Sequence, residues 1–121
     1  DHPVVRATHE TEGDFVDYLA RLLELCCAEM GLRFDVLRTS RLPIDPTLRG
    51  QDRVLAIAQN LRATRYVNLS GGKRLYDKQA FDDQDIDLVF FEEWQGPMWS
   101  ILYRLLTEPA GNVADDIRAQ S

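Results

Sequence analysis

The sequence is poor in the residues that most often carry chemistry. It has only two histidines, His2 and His9, both in its first ten positions. A Ser–His–Asp arrangement is therefore poorly supported, because no histidine stands near a candidate nucleophile. The only cysteines, Cys26 and Cys27, are adjacent. Neighbours on a helix point about 100° apart, so these two cannot form an ordinary disulfide with each other without distortion. They read as small buried residues of a reducing compartment. With so few ligands no transition-metal site can be argued, and no cofactor is expected. Asp82, Asp83, Asp85 and Asp87 lack the glycine and terminal glutamate of a calcium loop and read as solvated charge. Basic residues form no long run, and the net charge is −6. That balance argues against non-specific binding to nucleic acid or an anionic membrane, since both need a cationic surface. No apolar run approaches the ~18 residues that span a bilayer. No signal-peptide pattern is present, so no membrane insertion and a cytoplasmic location are expected.

What is there suits one globular domain. The 121 residues are 45% hydrophobic and 28% charged, an ordinary mixture. A chain of this length buries roughly two-thirds of its unfolded surface. Residues 1–10 show no period and read as an extended lead-in. From Asp14 a helix is clear: Phe15, Leu19, Leu22, Leu23, Cys26 and Met30 recur at spacings of three and four, with Glu24 and Glu29 off the stripe. Thr11 or Asp14 suits its cap and Gly31 its stop. Phe34, Val36 and Leu37 mark a strand over residues 33–38. Leu42-Pro43-Ile44-Asp45-Pro46 is a loop. A second helix runs from Gly50 to Arg62, with Val54, Ile57, Ala58 and Leu61 on one side.

A second strand covers residues 65–69, broken by Ser70-Gly71-Gly72. A short helix or turn follows over 75–82, then a third strand over 86–92. Its run Leu88-Val89-Phe90-Phe91 implies burial on both faces, as in a parallel sheet. Gln95-Gly96-Pro97 leads to a helix over 98–107, with Ile101, Leu102, Leu105 and Leu106 inward and Pro109 as its stop. Asn112 caps a last helix carrying Val113 and Ile117. Strands alternating with helices indicate an α/β fold: a small three-stranded, mainly parallel sheet with flanking helices, a Rossmann-like half-domain. A sheet this thin would be enlarged by strands from a partner or from a missing half of the polypeptide.

The most informative local feature is Asn68-Leu69-Ser70-Gly71-Gly72-Lys73, at the C-terminal end of a strand. Ligands of open α/β sheets collect beyond those ends. Two glycines let backbone N–H groups approach a ligand, and Lys73 adds a charge for phosphate or carboxylate. The spacing is neither a Walker A motif nor a dinucleotide fingerprint. A plain tight turn is the alternative, and Arg62, Arg65, Lys73 and Arg74 also read as solvated surface charge. Tyr76 either donates to a ligand in the same crevice or packs against the loop. Ser100 falls in the first turn of the helix expected over 98–107, where free N–H groups attract an anion. Trp99 is either beside it in a site or part of a core. Glu92 and Glu93 close a strand, but neither stands out as a general base.

Several segments together resemble one family. Gly31-Leu32, Ser40-Arg41-Leu42, Ala63-Thr64-Arg65-Tyr66-Val67-Asn68, Gly71-Gly72, Leu75-Tyr76-Asp77, Phe81, Ile86-Asp87-Leu88 and Trp99-Ser100-Ile101-Leu102 follow the order and spacing of the C-terminal half of WbqC-like proteins. The resemblance runs from about residue 10 to about residue 118. It implies a setting in bacterial O-antigen and other surface-polysaccharide clusters, with aminoacyl or acyl transfer onto an amino sugar. It also implies a missing N-terminal half, rich in His, Tyr and Pro. The family's Ser-Ile-Leu-Asp segment reads Ser100-Ile101-Leu102-Tyr103 here, which puts a role for that Asp in doubt.

Two readings follow. In the first, Asn68, Ser70, Gly71, Gly72, Lys73 and Tyr76, with Trp99 and Ser100 facing them, bind a small-molecule or carrier-bound donor, or a sugar acceptor. The glycine loop holds an anionic group or developing oxyanion, and no catalytic nucleophile or base can be named. In the second, the chain is a non-catalytic binding or assembly module that completes a partner's sheet or forms a homo-oligomer. A Gly72→Val exchange is expected to remove activity at near-normal folding in the first case only.

Overall fold

The computed structural model describes residues 2–120. The chain, expected to form one domain, divides into two compact units: Leu37–Trp94, and the segments on either side of it. Each unit has its own hydrophobic core.

The flanking segments form a helical unit. The extended lead-in expected over residues 1–10 is instead a helix, α1 (Pro3–His9). Pro3 at the first helical position brings a fixed φ and needs no donor, and His2 Nδ1 accepts from the Val4 N–H at 3.3 Å. Val4 and Ala7 enter the core. Its seven residues span barely two turns, too few for a helical period to show in the sequence.

Helix α2 (Phe15–Glu29) starts on Asp14, whose Oδ1 accepts from the Val16 and Asp17 N–H groups. It stops at Gly31, at φ 62°. There the Leu32 N–H reaches the Cys27 carbonyl at 2.8 Å, a closure that needs a left-handed residue. The stripe expected to face inward is split. Cys26 and Met30 are buried, whereas Phe15, Leu19 and Leu23 are 70%, 41% and 58% exposed. The unit covers the last turns of α2 and its Tyr18–Leu22–Leu25 side, leaving the first turns open. Both cysteines are free, and burial, with lesser help from Cys27 and Glu29, pushes the Cys26 thiol up.

Helix α5 (Ile101–Thr107) starts later than expected, because the Ser100 Oγ caps it by accepting from the Tyr103 N–H at 3.2 Å. Helix α6 (Ala110–Arg118) starts on Pro109, so Asn112 lies inside the helix and is not its cap. Val4, Cys26, Met30, Leu105, Val113 and Ala114 form the core of this unit. A large apolar side chain buried there contributes about 1.5–3 kcal/mol. Arg104, only 2% exposed, lies in the same interior. It donates from Nε and Nη2 to Glu108 at 2.6 and 2.9 Å, and from Nη2 to Asp116 at 2.6 Å, tying α5 to α6.

The central unit contains α3 (Gly50–Asn60), β1 (Arg65–Asn68), a 3-10 turn (Ser70–Arg74), α4 (Lys78–Asp82) and β2 (Asp87–Phe90). The strand expected over residues 33–38 does not form. Val36 and Leu37 are 61% and 53% exposed and straddle the boundary between the units. Their side chains suit a pleated surface, but a strand exists only where a neighbour pairs its backbone. The sheet among the described residues therefore has two strands, not three, and the small α/β class stands without the larger half-domain. The two strands are parallel, in register from Arg65↔Asp87 to Asn68↔Phe90. Ala58, Phe81, Ile86 and Leu88 are buried, with Val54, Leu55, Tyr66, Tyr76 and Phe90 packed around them.

Candidate functional site

The strands β1 and β2 end side by side at Asn68 and Phe90. Beyond that edge the chain passes through Leu69 into the Ser70–Arg74 turn. Asn68 is the corner piece. Its Oδ1 accepts from the Leu69 N–H at 2.7 Å, and its Nδ2 donates to the Tyr66 hydroxyl at 3.3 Å. That hydroxyl lies 3.4 Å from the Tyr76 hydroxyl. Tyr66 and Asn68 are two residues apart on one strand and so share a face. The floor is aromatic: Tyr66 stacks on Phe81 at 5.6 Å between ring centroids, and Tyr76 meets the edges of both.

The two glycines of the turn have different jobs. Gly72 is buried, and its N–H is committed to the Leu69 carbonyl at 2.9 Å. A Cβ there would stand 2.8 Å from Asn68 Nδ2 and 3.4 Å from the Phe90 ring. Gly71 is exposed and a Cβ on it would meet nothing. Gly72 is thus required by packing inside the unit. Gly72→Val is a folding variant, which changes the expectation of near-normal folding. It should destabilise the unit by about 1–3 kcal/mol, while Gly71→Ala should stay within about 0.5 kcal/mol. Urea midpoints of the two variants check this.

Burial, then the hydrogen bond with Tyr76, pushes the Tyr66 hydroxyl up to about 12. A group raised in the fold stabilises it below its unfolded value, near 10, and that contribution is lost as pH rises through about 12. Tyr76→Phe removes one cause and should move the Tyr66 titration back toward 10. Phenolate absorbance followed from neutral to alkaline pH reads both changes.

Lys73 and Arg74 are exposed at the turn. Arg65 is paired with Asp87 at 3.1 Å, Asp82 with Lys78 at 3.0 Å, and Asp83 accepts from Gln79 at 2.7 Å. The acidic run is thus spread over separate partners. The Asp77 N–H donates to Gln51 Oε1 at 2.6 Å, fastening the end of the loop to α3.

The structure brings together Asn68, Ser70, Gly71, Gly72, Lys73 and Tyr76 in the central unit. Trp99 and Ser100 belong to the helical unit. Trp99 is 67% exposed and lies against Tyr103 at 5.3 Å, so it is not a core residue, and the Ser100 oxygen is engaged as a helix cap. Tyr66 was missing from the sequence-based set. Its signal was its place two residues before Asn68.

The helical unit contains a cavity of ≈ 180 Å³ lined by His2, Val4, Val5, Thr8, Leu102, Leu105 and Leu106. The Thr8 hydroxyl donates to the Val5 carbonyl and His2 Nδ1 accepts from Val4. Its lining is almost wholly apolar, without the converging polar groups that orient a substrate.

Among the described residues no helix is long and apolar enough to cross a membrane. No curated protein and no solved structure matches the chain. A family model described as WbqC-like protein family matches residues 3–104, from α1 into α5. The match begins before and ends before the span read from the sequence, and it takes in the first helix. The chain belongs to the WbqC-like protein family.

Proposed function

We propose that the chain is a sugar-modifying transferase domain, corresponding to the C-terminal half of WbqC-like proteins. It acts in the cytoplasm in the synthesis of a bacterial surface polysaccharide. An activated acyl or aminoacyl donor, small or carrier-bound, and an amino-sugar acceptor meet beyond the ends of β1 and β2. The observation that carries this reading is the pairing of an exposed turn at Gly71 and Lys73 with the Asn68–Tyr66–Tyr76 polar chain at one strand end. An amino sugar brings its own nucleophile, so transfer needs no serine or cysteine from the protein. The amine nitrogen forms a bond to the donor carbonyl, the bond to the leaving group breaks, and the amine proton passes to solvent or to the leaving group. The site must then align the two molecules and stabilise the developing oxyanion, with Lys73 and the exposed backbone at Gly71 as its means.

Calorimetric titration of the purified chain with nucleotide-linked amino sugars and with acyl or aminoacyl donors tests this. Binding to at least one class is expected, weakened about tenfold or more by Lys73→Ala. Absence of binding to either class contradicts it.

A second reading has its own support. A two-stranded sheet leaves both outer edges unpaired within the described residues, and Leu69 and Leu75 beside the strand end are 68% and 70% exposed. Such edges invite a further strand, as in an assembly module that completes a partner's sheet. Concentration-dependent dimerisation without ligand binding would favour that reading.

A further inference from the structure

Helix α2 presents an apolar stripe that the rest of the helical unit leaves open. Phe15, Val16, Leu19 and Leu23 are 70%, 52%, 41% and 58% exposed. Phe15, Leu19 and Leu23 stand four apart, so they form one continuous ridge. A contiguous apolar patch on a surface marks an interaction site more often than a scatter of single residues does. Charge says what fits it. The helical unit contains five Lys or Arg against eleven Asp or Glu, whereas Leu37–Trp94 contains nine of each. The whole excess of −6 therefore belongs to the helical unit. Glu12 and Glu24, close to the ridge in sequence, are exposed. The one basic residue of α2, Arg21, is half-buried and donates to the Glu10 carbonyl.

We infer that this face of α2 docks a cationic amphipathic segment of another protein, a helix with an apolar side flanked by Lys or Arg. An amphipathic helix reads such a ridge through residues spaced like those it meets. Opposite charge at the rim speeds encounter and excludes wrong partners. A second copy would bring two acidic units together, and an anionic membrane would repel the same rim. This inference stands apart from the strand-end site, which lies in the other unit.

The probe is a synthetic leucine–lysine helical peptide, with a leucine–glutamate peptide of the same pattern as control. The basic peptide is expected to bind and the acidic one not. Binding should fall about tenfold in Phe15→Gln/Leu23→Gln and should weaken with added salt. No binding, equal binding of both peptides, or binding unchanged in the double variant overturns the inference, as does self-association of the chain that the double variant abolishes. If the variant fails to fold, amide shifts of the unaltered chain decide. Perturbation centred on α2 supports the inference, and perturbation elsewhere overturns it.

Discussion

Replacing Phe81 by alanine is expected to cost the Leu37–Trp94 unit about 3–5 kcal/mol, enough to leave a small unit largely unfolded. Phe81 has no exposed surface, and it is the residue on which the others converge. Its ring touches Tyr66 and Tyr76, and its carbonyl accepts from the N–H groups of Gln84 and Ile86, which turn the chain into β2. Removing the ring opens a void under the strand-end site and releases both tyrosines. Loss of the near-ultraviolet tyrosine signal, with a lowered urea midpoint, is the expected observation. Leu75→Ala, at a side chain 70% exposed, should change stability by no more than about 0.5 kcal/mol. Comparable effects at the two positions would contradict a core centred on Phe81.

Arg104→Ala should have the comparable effect in the helical unit, with a fall of about 10 °C or more in melting temperature. The guanidinium is buried between Glu108 and Asp116, and its Nη1 has no hydrogen-bond partner among the described residues. Deleting it strands two carboxylates. Arg104→Met should cost less than Arg104→Ala, because it strands the same two carboxylates but fills the space that alanine leaves empty. Acid acts on the same contact. Hydrogen bonds from Arg104 hold the Glu108 carboxyl below its ordinary value of 4.5. A carboxylate depressed in the fold contributes stability above that value and loses it as pH falls through the lower, folded one. Glu108→Gln should therefore flatten the loss of stability on acidification. A melting curve measured across that range distinguishes the two proteins.

The legible parts of the fold are those where local sequence and tertiary demand agree. β1 could be read because it runs up to a glycine turn, and β2 because Leu88-Val89-Phe90-Phe91 is a continuous apolar run. Asp14 and Gly31 could be read as the ends of α2 because capping is local chemistry. The segment Phe34–Leu37 has strand composition, but pairing depends on a neighbour that composition does not supply. The ridge of α2 shows how the same limit applies to burial: a helical period locates an apolar face, and only the packed structure says how much of it is covered. Gly72 could be recognised as special, but the reason, the closeness of the Asn68 side chain four positions before it and of the Phe90 ring on the neighbouring strand, depends on the packed turn. Arg104 was illegible for the opposite reason. A lone arginine on a helix reads as surface, and one of its partners lies twelve positions away.

The most direct test of the central claim is an amide-shift map of the chain titrated with the donor or amino-sugar nucleotide found to bind. The strand-end account expects the perturbed amides to be those of Asn68 through Tyr76 and the adjoining end of β2, with the shifts lost in Asn68→Ala. Perturbation confined to the helical unit, with the Ser70–Arg74 turn unmoved, would contradict it.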